Sequence, residues 1–190
     1  MGESRQNPEQ LLKSLQTDEE NRNKGHLKIF FGYAAGVGKT YAMLEAAHMA
    51  KQQGIDVVAG YVEPHACPKT AALLNGLEVL PTREVFYNGM ILDEFDIGMA
   101  LKRKPQLILV DELAHTNAEG CRHAKRYQDI KELLNAGIDV YTTVNVQHIE
   151  SLCDTVASIT EIVVRERIPD SIFDNADQVE LIDIEPQDLI

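Results

Sequence analysis

Two short stretches carry side chains whose type and spacing suit the handling of phosphate. Residues 32–40 read GYAAGVGKT and follow the apolar run LKIFF. Backbone N–H groups of a glycine-rich turn, with the N-terminus of the helix that leaves it, make a site for phosphate oxygens. Gly36 and Gly38 stand where φ must be positive or where a side chain would block the approach. In such a cradle Gly36, Val37, Gly38, Lys39 and Thr40 meet the ligand: Lys39 reaches the β- and γ-phosphates and the Thr40 hydroxyl ligates Mg²⁺. The usual spacing is Gly, four residues, then Gly-Lys-Ser/Thr, yet here Tyr33 occupies the first position and Gly32 lies one step earlier. The loop is therefore one residue longer on its N-terminal side, while its phosphate-contacting half is intact.

The second stretch is LILVDE, from Leu107. Four apolar residues ending in two acids describe a buried strand whose tip reaches a nucleotide-bound Mg²⁺, with Asp111 holding the ion through water. Glu112, one position on, stands where a carboxylate polarises an attacking water, which makes it the candidate catalytic group. Further polar residues gather at expected strand ends: Glu63 and His65; His115, Thr116 and Asn117; Thr142, Thr143, Asn145, Gln147 and His148. In an open parallel sheet the ligand lies beyond the carboxyl ends of the strands, so these loops should share one crevice. Asn145 or Thr143 is a candidate to sense the γ-phosphate through water, although each is more often a loop cap. Arg122 and Arg126 either clamp phosphate or pair with Asp129 and other surface acids, the second reading being favoured. His115, Cys121 and His123 cluster without a second Cys at zinc-finger or ribbon spacing.

The elements that must hold these groups alternate along the chain. Strands are expected at Leu27–Phe31, Asp56–Val62, from Leu107, from Asp139 (DVYTTVNV) and from Val179 (VELIDI). Helices are expected at about Lys39–Gln53, near Thr70–Asn75, and around Tyr127, Ile130, Leu133 and Leu134, with Gly54 and Gly137 placed to end the first and last of these. EVFYNGMIL reads as two short strands joined at Asn88-Gly89. This alternation predicts an α/β fold: a P-loop NTPase-like, doubly wound, mainly parallel sheet flanked by helices, with a small β-hairpin excursion near Asn88-Gly89. Glu112 beside Asp111 is characteristic of the class in which an extra strand, here DVYTTVNV, lies between the loop strand and the acidic strand. Residues 1–25 are polar and are expected to form a mobile N-terminal arm, leaving 26–190 as a single domain.

Composition narrows the possibilities. The 190 residues are 44% hydrophobic and 25% charged, as in an ordinary soluble domain, and no apolar run approaches membrane-span length. Three cysteines, odd in number and widely spaced, argue for a reducing compartment, so a cytoplasmic location is expected. The net charge of −12 disfavours nucleic acid and anionic membrane as partners. From Pro169 to Ile190 there are seven carboxylates and no Lys or Arg.

LKIFFGYAAGVGKTYAMLEAA, DVVAGYVEPH, LILVDELAHTN, KRYQDIKELLNAGIDVYTTVNVQHIESL and the Arg165-Glu166-Arg167-Ile168-Pro169-Asp170 stretch resemble the N-terminal cytoplasmic domain of the KdpD family. These are bacterial sensor histidine kinases of potassium limitation and osmotic stress. The resemblance runs from about Lys24 to the last residue, and the strings VDELAHTN and TTVNVQHIESL make it specific. In the family, too, a residue separates the outer glycine from the standard first loop position, but it is often small, so Tyr33 is a departure.

The resemblance implies a longer homodimeric parent in the bacterial inner membrane, with a stress-protein-like domain, membrane helices and a kinase core following. It implies ATP or ADP with Mg²⁺ as ligands, and a cognate response regulator reached through the parent. The chain itself has no phosphoacceptor box and no span to insert into the membrane, so its expected role is to modulate the parent's kinase and phosphatase output. The alternatives are a free-standing P-loop phosphotransferase or ATPase acting on a small molecule, and a docking domain with a vestigial loop.

Overall fold

The computed structural model describes residues 23–63, 68–87, 89–161 and 163–183. Among these described residues, eight strands and six helices follow in the order β1 (Leu27–Gly32), α1 (Lys39–Gln52), β2 (Val57–Tyr61), α2 (Pro68–Ala72), β3 (Glu78–Val79), β4 (Arg83–Tyr87), β5 (Met90–Glu94), α3 (Ile97–Arg103), β6 (Leu107–Val110), α4 (Arg126–Asn135), β7 (Asp139–Asn145), α5 (Cys153–Thr160), α6 (Asp170–Asp174) and β8 (Gln178–Leu181). Two single 3₁₀ turns, Val146–His148 and Glu150–Leu152, join β7 to α5. One sheet has six strands in the order β3-β2-β6-β7-β1-β8, and each of its described pairings is parallel. β7 lies between β1 and β6, as the Asp-Glu pair at the end of β6 predicts.

The pleat sorts the strand residues into two cores, because successive side chains point to opposite faces. Ile108 and Val110 of β6, Ile29 of β1 and Val58 of β2 pack with Ile97 and Ala100 of α3 and Ile130 and Leu133 of α4. Leu107, Leu109, Phe30, Val57 and Ala59 face the other way and meet Met43, Leu44, Ala47 and Ala50 of α1. All four residues of β6 are buried, which is why it reads as a continuous apolar run rather than an alternating one. At about 1.5–3 kcal/mol for each large aliphatic side chain removed from water, these two layers are the main stabilising contribution.

β4 and β5 form a separate antiparallel hairpin with Tyr87 opposite Met90. Gly89 takes φ 81°, as a two-residue hairpin turn requires; Asn88 lies outside the described residues. The hairpin tip exposes Phe86, Met90 and Ile91, while its root buries Val85 and Glu94. Of the expected arm, residues 1–22 lie outside the described residues, and Gly25 donates to the Leu134 carbonyl at 2.8 Å. α3, α5, α6 and β3 are additions to the elements expected from sequence. The first is capped by Asp96, whose carboxylate accepts from Met99 N at 3.0 Å.

Candidate functional site

Because β1, β7 and β6 run parallel, their carboxyl ends come to one edge. Gly32 pairs with Asn145 across β1 and β7, and the Leu113 N–H donates to the Thr143 carbonyl across β7 and the chain leaving β6. The glycine-rich loop, the acidic pair and the β7 tip therefore line one cavity of about 500 Å³. Its walls include Gly36, Gly38, Lys39, Thr40, Asp111, Glu112, Thr143 and Asn145.

The loop owes its course to glycine at two positions. Gly36 and Gly38 take φ 86° and 94°, in the left-handed region that side chains disfavour, and Gly38 caps α1. Val37 between them is fully buried, so its apolar side chain pins the loop while the backbone stays on the cavity side. Gly32 is required for a different reason. A Cβ there would lie 2.7 Å from Val37 Cγ2 and 3.1 Å from Lys39 Cδ. Tyr33 is 39% exposed and does not line the cavity, so the extra loop residue is directed away from it.

Lys39 is buried and its ammonium donates to the Ala34 carbonyl at 2.7 Å. Burial pushes its pKa down, with Asp111 and Glu112 opposing the shift. Thr40 Oγ1 donates to Asp111 Oδ2 at 3.0 Å, closing a sequence gap of 71 residues. The Thr143 hydroxyl donates to Asp111 Oδ1, and the Glu112 N–H donates to the same oxygen at 3.1 Å and to Thr143 Oγ1 at 3.2 Å. Asp111 is wholly buried, so its carboxylate is held by both hydroxyls and by backbone. Glu112 has φ 59°, turning its side chain out of the strand line. Partial burial raises its pKa, and the nearby charges of Glu63 and Asp111 raise it further.

The sequence expectation for Arg126 needs correction. It does not pair with Asp129 at the surface, and Asp129 instead accepts from Asn117 Nδ2 at 2.6 Å. Arg126 is fully buried at the start of α4, because the acidic partner available to it is Glu94 at the hairpin root. Its guanidinium donates to Glu94 Oε2 at 3.1 Å and to the Asp111 carbonyl at 3.2 Å, and stacks over Tyr61 with 4.1 Å to the ring centroid. Glu94 also accepts from Ala118 N at 2.8 Å and lies 3.2 Å from His115 Nε2. Burial raises the pKa of Glu94, but the His115 and Ala118 hydrogen bonds and the Arg126 charge outweigh it, so the net shift is downward.

The remaining candidates divide. His115, Asn145 and His148 line the cavity, and His148 Nδ1 lies 2.8 Å from the Glu166 carbonyl. Gln147 is not among the residues that line the cavity, and its backbone carbonyl accepts from Cys153 Sγ. Arg122 pairs with Glu132, which also holds His123 at 2.7 Å. His65 lies outside the described residues. Sequence reasoning missed Lys69, Thr70 and Glu166 as cavity residues and Glu94 as the partner of Arg126. Among these, only the Arg165–Asp170 stretch carried a recognisable signal. Among the described residues, no helix is long and apolar enough to cross a membrane.

Comparison with known proteins gives a consistent result. Residues 23–190 match the family model KdpD, described as the osmosensitive K⁺ channel His kinase sensor domain. The chain is 62% identical over 186 residues to a sensor protein KdpD of Clostridium acetobutylicum, covering 98% of this chain and 21% of that protein. It is 56% identical over 185 residues to the sensor protein KdpD of Escherichia coli K12, covering 97% of this chain and 20% of that protein. Against the sensor protein KdpD of Mycobacterium tuberculosis H37Rv the identity is 54% over 166 residues, covering 87% and 19%. The chain thus spans about a fifth of the length of these relatives.

Proposed function

The chain belongs to the family of KdpD sensor domains, and from that premise we propose that it is an ATP-binding regulatory domain whose nucleotide state modulates the output of a longer sensor histidine kinase. The observation that carries this reading is the convergence of Thr40 and Asp111 beneath a loop whose two glycines adopt positive φ. A fold that merely needed a tight strand-to-helix turn would have no use for a lysine, a threonine and a wholly buried aspartate at the same cavity wall.

The donor set fits Mg²⁺ carried by a nucleotide. Mg²⁺ prefers hard oxygen ligands, and is usually held by one or two carboxylates together with phosphate and water. The Thr40 hydroxyl and Asp111 carboxylate supply that chemistry, and a Cβ added at Gly36 would meet nothing within 4 Å, so the cradle there is open. When bound, the ion would neutralise phosphate charge. Lys39 would exchange the Ala34 carbonyl for phosphate oxygen, Thr143 would keep Asp111 oriented, and Glu112 would hold a water toward the terminal phosphate.

In the longer protein, the partners of this domain are the stress-protein-like domain, membrane helices and kinase core, with the response regulator reached through that core. Calorimetry with Mg·ATP on the wild type and on Lys39→Ala tests the reading. Saturable wild-type binding that the variant loses is the expected result; no wild-type binding removes it.

A further inference from the structure

We propose that Lys69 is a second phosphate-contacting residue, directed at the terminal phosphate of a nucleoside triphosphate; this rests on the nucleotide reading of the cavity and extends it. Lys69 lies on α2, outside the loop and the acidic strand, yet it lines the same cavity as Lys39, Thr40 and Asp111. α2 is fastened to α1 beyond that point, since His48 Nε2 lies 2.6 Å from the Leu73 carbonyl and Lys51 donates to the Gly76 carbonyl. Thr70 is buried while Lys69 is exposed, so the helix turns its lysine outward from a fixed base.

Charge makes the assignment. Several cations of this acidic chain are engaged elsewhere, as Arg103 is with Asp56 and Glu78, Arg122 with Glu132, Arg126 with Glu94 and Lys28 with Glu180, and the described Lys and Arg residues without such a partner, Lys39 and Lys69 apart, do not line this cavity. Lys69 has no hydrogen-bond or ion-pair partner among the described residues, although Asp111, Glu112 and Glu166 line the same cavity. A lysine with no such partner among the described residues, lining a cavity of about 500 Å³, is a counter-charge for an anion. Sheet order gives its direction. β2, whose carboxyl end leads toward α2, flanks β6 on the side away from β7 and β1. A ligand gripped by Lys39 and by Thr40, whose hydroxyl donates to Asp111, would have its terminal phosphate toward Asp111 and hence toward that side. Mg·ATP carries one more negative charge than Mg·ADP, and Lys69 would meet the extra phosphoryl group.

The test is calorimetry on the 190-residue chain with Mg·ADP and with a non-hydrolysable Mg·ATP analogue, for wild type, Lys69→Ala and Lys69→Arg. Expected is about tenfold weaker analogue binding in Lys69→Ala, less than about twofold change for Mg·ADP, and recovery of most of the loss in Lys69→Arg. Equal weakening of both ligands, or no weakening of either, overturns the assignment. Wild type that binds the analogue while Lys69→Ala binds it equally well removes Lys69 alone. Wild type that binds neither ligand removes the nucleotide reading and Lys69 with it.

Discussion

Replacing Arg126 by Met tests whether the ion pair behind the acidic strand holds the site together. The substitution keeps an apolar stem of similar reach in a position that is fully buried, but removes the guanidinium. Glu94, 4% exposed, then loses its cationic partner, the Asp111 carbonyl loses a donor, and Tyr61 loses the plane stacked on it. Breaking a buried pair by removing one partner costs about 3–5 kcal/mol, because the other charge stays buried. For a domain near this size, each kcal/mol moves the melting midpoint by roughly 2–4 °C. Arg126→Met should therefore lower it by roughly 6–20 °C, read by thermal denaturation and by urea titration.

Glu94→Gln, combined with Arg126→Met, should restore part of that loss, since no carboxylate is then left unpaired. The acid limb should change too. The pKa of Glu94 is depressed in the folded state, so its ionisation contributes stability above the ordinary value of 4.5 that is lost as pH falls. Arg126→Met should weaken this limb only in part, because the hydrogen bonds of Glu94 with His115 and Ala118 N remain. A single-variant loss below about 1 kcal/mol, or single effects that add within about 0.5 kcal/mol, would refute the coupling.

Other outcomes follow from the site. Thr40→Val should remove most of the Mg²⁺-dependent part of the rise in melting midpoint given by ATP, and leave the Mg²⁺-free part unchanged; equal loss of both would mean the hydroxyl serves the fold rather than the ion. Ligand at a hundredfold excess over Kd stabilises by about 2.7 kcal/mol, so the wild-type rise should be several degrees. Glu112→Gln should raise the melting midpoint at neutral pH: the raised pKa of Glu112 makes its ionisation in the fold unfavourable, so the advantage fades as pH falls through the folded value toward 4.5. Replacing Tyr33 by Gly should change Mg·ATP affinity by less than about tenfold in calorimetry, because its side chain lies outside the cavity.

Long-range pattern was the legible part of this chain. LILVDE declared itself as a buried strand because its four apolar residues are covered, two on each face of the sheet, and the loop announced itself through Gly36 and Gly38, whose positive φ few other residues tolerate. Even the place of DVYTTVNV in the sheet followed from a single residue, Glu112. Arg126 was misjudged because nothing local to KRYQD identifies a partner 32 residues upstream; its burial depends on Glu94, which the hairpin delivers from elsewhere. Lys69 was invisible for the same reason, standing in a five-residue helix with no pattern of its own. β3 has two exposed residues paired only to β2, so there was no periodicity to find.

The bond from the Lys39 ammonium to the Ala34 carbonyl gives the loop an internal rival to any incoming anion. The lysine is tethered five residues from that oxygen, so its local concentration there never falls with dilution, whereas that of a ligand does. What a titration measures at this loop is therefore an exchange, the new contact less the old one, and the apparent affinity is reduced by the fraction of time the lysine spends withheld. A change that denies the carbonyl to Lys39 without touching the cradle, by altering the backbone at Ala34 or Ala35, would tighten binding while adding no contact. The loop's set point is thus adjustable from its own outer arm, the segment in which this chain carries Tyr33.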